Sequence, residues 1–133
     1  MNTIKITVLT ILTALSLNAF GGADHDHGAP SFQPPKGGVL KSTGSKHFEL
    51  VKSDKKVSIY AYSKEGKSIS TQGLILTAEL EIPRKKTTAQ TLENKNTHWE
   101  AVIDAQGSHR YTLKVSIVDG NEKDYVKFTV ENK

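Results

Sequence analysis

Lys46-His47-Phe48-Glu49-Leu50-Val51-Lys52-Ser53-Asp54-Lys55-Lys56-Val57-Ser58-Ile59-Tyr60-Ala61-Tyr62 is the stretch whose reading decides the fold. Apolar residues recur at every second position on both sides of a polar break, and that period belongs to strands buried on one face. In the first run Phe48 and Leu50 share one side, with His47, Glu49 and Val51 on the other. In the second, Val57, Ile59 and Ala61 oppose Ser58, Tyr60 and Tyr62. Ser53, Asp54, Lys55 and Lys56 between them suit a hairpin turn.

Similar runs follow down the chain. Leu74, Leu76, Ala78 and Leu80 form one stripe, and Pro83 closes it ahead of the basic loop Arg84-Lys85-Lys86. Ala89 to Glu93 reads as a single weak strand. Trp99, Ala101 and Ile103 point inward from the next run, with His98 and Glu100 outward. Tyr111, Leu113, Val115 and Ile117 are the cleanest inward stripe, and after the turn signal at Asp119-Gly120-Asn121, Val126, Phe128 and Val130 end the domain. No helical period of useful length appears. Seven to eight short strands with regular turns predict an all-β, antiparallel immunoglobulin-like β-sandwich over residues 39–133.

The start of the chain reads differently. Met1 to Lys5 is short and basic, Ile6 to Leu17 is apolar or Thr/Ser, and small residues follow at Ala19, Gly21, Gly22 and Ala23. This is the three-part pattern of a signal peptide, and it predicts export to the periplasm or beyond. The apolar run falls short of the roughly 20 residues of a bilayer span, which argues against a lasting membrane anchor. Small residues favour cleavage after Ala23, with Ala19 and Gly21 as alternatives. About 110 residues then remain, enough for one core without staples. None is available, because the chain has no Cys and so no disulfide or thiolate ligand. The net charge of +4 is spread over many lysines and gives no nucleic-acid signature.

Residues 24–38 read as a flexible arm rich in His, Pro and Gly. Within it, Asp24-His25-Asp26-His27 places two imidazoles and two carboxylates in four consecutive positions. Those donors suit Cu(II), Zn(II) or Ni(II), and the competing reading is a solvated polar tail. A second candidate set is the repeated His-aromatic-Glu of His47-Phe48-Glu49 and His98-Trp99-Glu100. In each the aromatic points inward and the polar pair outward. Were the two strands neighbours, His47, Glu49, His98 and Glu100 would converge on a cation; otherwise they are polar residues on a wet face. His109 reads as a solvated loop residue. No nucleophile elbow, no helical His-Glu-x-x-His and no phosphate loop is present, so an enzyme is not expected.

The His-x-His arm, the Pro-rich stretch with Gly37-Gly38, the His47-x-Glu49-Leu50-Val51 segment and the Val57-x-Ile59-Tyr60-x-Tyr62 strand resemble a known group. It comprises small periplasmic immunoglobulin-like β-sandwich proteins with a His-rich N-terminal arm, whose modules also occur beside heavy-metal and copper efflux systems. The matching positions are His25, His27, Gly37, Gly38, His47 and Glu49, and Lys36 stands where the group typically has His before Gly-Gly. The resemblance implies divalent-metal binding, as a chaperone, buffer or efflux accessory. With Met1 the only methionine and no Cys, Cu(II) or Zn(II) fits better than Cu(I). The alternative function is a non-catalytic module that offers an edge strand or loop face to another envelope protein.

Overall fold

A computed structural model describes residues 32–132. The expected signal peptide, its cleavage site and the Asp24-His25-Asp26-His27 cluster lie outside the described residues. The described chain is all-β, with ten strands: β1 (Val39–Ser42), β2 (Lys46–Ser53), β3 (Lys56–Ser63), β4 (Ser68–Ile69), β5 (Leu74–Glu81), β6 (Thr88–Gln90), β7 (Glu93–Asn94), β8 (Trp99–Val102), β9 (Arg110–Asp119) and β10 (Glu122–Glu131). They form two antiparallel sheets. The first runs β1-β2-β3-β8-β7 with β4 also paired to β3, and the second runs β10-β9-β5-β6.

The order β2-β3-β8-β7 facing β6-β5-β9-β10 is the ABED-against-CFG order of an immunoglobulin sandwich, with β6 as an added edge strand. β1 extends the first sheet beyond β2. The expectation of seven to eight strands therefore falls short of the ten observed, and β4, β6 and β7 are only two or three residues long. The single weak strand expected over Ala89 to Glu93 is two strands in two sheets. Thr88–Gln90 pairs with β5, whereas Glu93–Asn94 pairs with β8. Leu92 packs against the core as the chain crosses from sheet to sheet. The four-residue hairpin turn is also tighter than expected. Ser53 pairs with Lys56, which leaves Asp54 and Lys55 as the loop, and Asp54 takes a positive φ of 56°.

The core is built by the stripes read from sequence. Phe48, Leu50, Val57, Ile59, Trp99 and Ala101 of the first sheet meet the inward residues of β5, β9 and β10. Phe48, Ile59, Leu113, Val115 and Phe128 have no solvent exposure. Tyr111 lies one residue into β9, the place where immunoglobulin-like domains carry their corner tyrosine. Its buried hydroxyl has no partner among the described residues, and burial pushes the phenol up to about 12. Tyr111→Phe is therefore expected to leave stability unchanged or raise it by about 1 kcal/mol, because it removes a desolvated hydroxyl rather than a hydrogen bond. Urea unfolding checks this; a loss larger than about 1 kcal/mol would show that the hydroxyl is bonded.

Candidate functional site: the outer face of the first sheet

Alternation sends His47 and Glu49 of β2, Ser58, Tyr60 and Tyr62 of β3, and Glu100 of β8 to the outer face. On the inner side of a wet sheet such residues would meet the core; on the outer side they are expected to meet water. Glu49 does not. It has no solvent exposure, although Val51, two residues on, is half-buried. The cover is the segment Phe32–Gly38, which lies across the sheet. The Phe32 ring stacks on His47 at 5.1 Å between centroids and meets Tyr62 at 5.2 Å, above Gly66. The last seven residues of the expected arm are thus docked on the sandwich.

Glu49 holds them there. Its Oε2 accepts hydrogen bonds from the Gly38 amide at 2.8 Å and the Lys36 amide at 3.0 Å. Its Oε1 accepts from the Tyr62 hydroxyl at 2.8 Å and, more weakly, from the Lys36 amide at 3.3 Å. Every partner is a donor, the arrangement an ionised carboxylate satisfies and a solvent-free carboxylate requires. Burial first, then the hydrogen bond to Glu49, push the Tyr62 phenol well above its ordinary value. The Gly37-Gly38 pair follows from the same lock. Gly37 turns with a φ of 71°, its amide bonded to the Pro34 carbonyl, and Gly38 passes against the Leu50 carbonyl where no Cβ fits.

The histidines are placed as follows. β2 and β8 both flank β3 and are not neighbours, so Tyr60 and its strand separate the His47 and His98 pairs. The four-residue convergence conditional on neighbouring strands does not form. His47 is bonded through Nδ1 to Ser42 Oγ at 2.6 Å and through Nε2 to the Lys64 carbonyl at 3.2 Å. His98 stacks on Tyr60 at 4.8 Å, with Nδ1 2.8 Å from Thr97 Oγ1 and Nε2 2.9 Å from Glu100 Oε1. That hydrogen bond is the main cause holding the Glu100 carboxyl below its ordinary value, and Lys56 at 3.6 Å adds to it. His98 and Glu100 are therefore brought together, and His47 and Glu49 stand apart from them. Among the described residues no group of three or more His, Asp or Glu side chains could hold a metal ion.

Sequence reasoning missed Phe32 and Lys36 as parts of this face. Phe32 carried no periodic signal, and Lys36 was legible only as an exception before Gly37-Gly38. The Lys36 ammonium lies 4.6 Å from the centroid of the Tyr60 ring, a cation–π distance.

These features define an all-β, immunoglobulin-like sandwich with the Phe32–Gly38 segment locked over one sheet. No protein-family model matches the chain, and no curated protein matches it. Among solved structures, a DUF4426 family protein from Pseudomonas aeruginosa PAO1 aligns over 71% of this chain and 96% of its own, with a TM-score of 0.45 and 13% sequence identity. A likeness at that level carries no functional argument.

Proposed function

We propose that the chain is an exported, periplasmic β-sandwich that captures a divalent cation, Cu(II) or Zn(II), on its Asp24-His25-Asp26-His27 cluster, as a chaperone, buffer or efflux accessory without catalysis of its own. The observation that carries this reading is the cluster itself, two imidazoles and two carboxylates in four residues. The sandwich lends it an anchor: His27 stands five positions before the docked Phe32, a reach of at most about 18 Å for an extended chain. In both His47 and His98 each ring nitrogen already has a protein partner, and both Glu49 oxygens are used. First capture is therefore assigned to His25 and His27, with His47, Glu49, His98 and Glu100 contributing only if those bonds are exchanged for the metal.

Calorimetric titration of Cu(II) and Zn(II) tests this. Imidazole binds metal in its neutral form, so affinity is expected to fall as pH drops through roughly 6.5. The His25→Ala/His27→Ala double variant is expected to lose at least about tenfold in affinity, as removal of direct ligands should, whereas His47→Ala/His98→Ala retains it. Wild-type binding no tighter than that of an unrelated His-bearing protein would sink the metal reading. The second reading, an interaction module for another envelope protein, would then stand. It is favoured by the absence of a metal-holding group among the described residues and by the aromatic and basic face that Phe32–Gly38 completes.

A further inference from the structure

The outer face of the first sheet also contains a groove that the metal reading does not use. β3 is paired by β8 as far as Ile59 and by β4 from Ala61 onward. Tyr60 therefore stands at a fork where its two partner strands diverge. Ser68, Ile69 and Ser70 form one wall of the opening, and Asn96, Thr97 and His98 form the other. Tyr60 is the floor and Lys36 the lip of a space of about 510 Å³, within the size range of small-ligand sites.

The walls are clamped to each other. Thr71, 1% exposed, sits between them: its Oγ1 lies 2.5 Å from Asn94 Oδ1, and its amide donates to the Asn96 carbonyl at 3.1 Å. Asn94 Oδ1 also accepts from the Asn96 amide at 2.8 Å, which fixes the positive-φ turn there. A groove whose sides are tied to each other through the buried Thr71 is open before any ligand arrives, so little ordering opposes binding.

Its chemistry is set by one cation and one π surface. The Lys36 backbone amide is committed to Glu49, whereas its ammonium makes no ion pair among the described residues. The carboxylates of β2, β8 and β7 on this face are all engaged, Glu49 by its three donors, Glu100 by His98 and Lys56, and Glu93 by Lys95. The ammonium thus lies over Tyr60 at the lip of the groove, with His98, stacked on the same ring, as one wall. Ile69 adds an apolar wall, and the Ser70 hydroxyl, which accepts from the Gln72 amide, retains its own proton to donate.

We propose that this groove binds a small organic carboxylate carried on a planar or apolar body, the body on Tyr60 and His98 and the carboxylate on Lys36. The test is an NMR titration of the purified protein with phenylacetate and, separately, with its uncharged amide, phenylacetamide. Phenylacetate is expected to shift the backbone resonances of Tyr60, Ile69, Ser70, Thr97 and His98 saturably, and phenylacetamide to bind at least about tenfold more weakly, since it forfeits the charge-assisted contact. Lys36→Met keeps the amide that bonds Glu49 and most of the side-chain stem, so the fold and its spectrum persist while phenylacetate affinity falls about tenfold. The His25→Ala/His27→Ala variant is expected to bind phenylacetate as the wild type does, which separates this site from the metal cluster. No saturable shift, equal binding of acid and amide, or a Lys36→Met variant that binds unchanged would each overturn the proposal.

Discussion

Glu49→Ala is expected to destabilise the sandwich by about 3–5 kcal/mol, a loss of the size seen when one partner of a buried charged network is removed. Three donors lose their acceptor at once: the Lys36 and Gly38 amides and the Tyr62 hydroxyl. The buried Tyr62 hydroxyl and the part-buried amides would be left unpaired, at a cost of up to about 1–3 kcal/mol per group, unless the covering segment lifts away. That escape caps the loss, because a released Phe32–Gly38 segment regains water for its amides. It also has a signature of its own. Limited proteolysis is expected to cut the variant quickly near Phe32–Gly38 and to leave the wild type intact there. Glu49→Gln keeps one acceptor oxygen but turns an NH₂ toward donors, so it should fall between the two. A urea unfolding free energy for Glu49→Ala within about 1 kcal/mol of wild type, with no new cleavage, would show that the segment is held by the aromatic contacts of Phe32 alone.

Much of the fold was legible because the core stripes are regular. Tyr111, Leu113, Val115 and Ile117 alternate without a break, and the structure buries all four. The immunoglobulin-like class, though not the strand order, was legible from strand number and turn spacing. Alternation, however, says which way a residue points and not what lies above it. Glu49 and Tyr62 were correctly placed on the outer face, yet both are buried, since the cover comes from an aperiodic stretch of Pro and Gly. For the same reason Glu49 read as a free ligand. Period also carries no information on strand neighbours, so whether His47 and His98 meet had to wait for the register that sets β3 between them. The split of Ala89–Glu93 into β6 and β7 was hidden because a chain crossing between two sheets needs only two unpaired residues, too few to break a pattern.

Gly38→Ala separates the lock from the glycine's conformational freedom. Gly38 has an ordinary negative φ, so backbone strain is not at issue; a Cβ there would lie 2.3 Å from the Leu50 carbonyl oxygen and 3.1 Å from Glu49 Cγ. The first of these is backbone in the middle of β2, held by pairing to β1 on one side and β3 on the other, and it cannot step aside. The 36–39 segment must move instead, which lengthens the Gly38–Glu49 hydrogen bond. The expected loss is about 3 kcal/mol, at the upper end of ordinary overpacking costs. Gly37→Ala meets no atom within 4 Å but sits at φ 71°, so only about 1–2 kcal/mol of left-handed strain is expected. Gly44→Ala, in open space at ordinary φ, should change stability by less than about 0.5 kcal/mol. If Gly38 matters because it lets Glu49 reach the two amides, the Gly38→Ala and Glu49→Ala losses overlap. The double variant should then be little worse than Glu49→Ala alone, with a coupling of about 2 kcal/mol in a double-mutant cycle. Additive losses would mean that the close approach of Gly38 to β2 and the carboxylate lock support the sandwich independently.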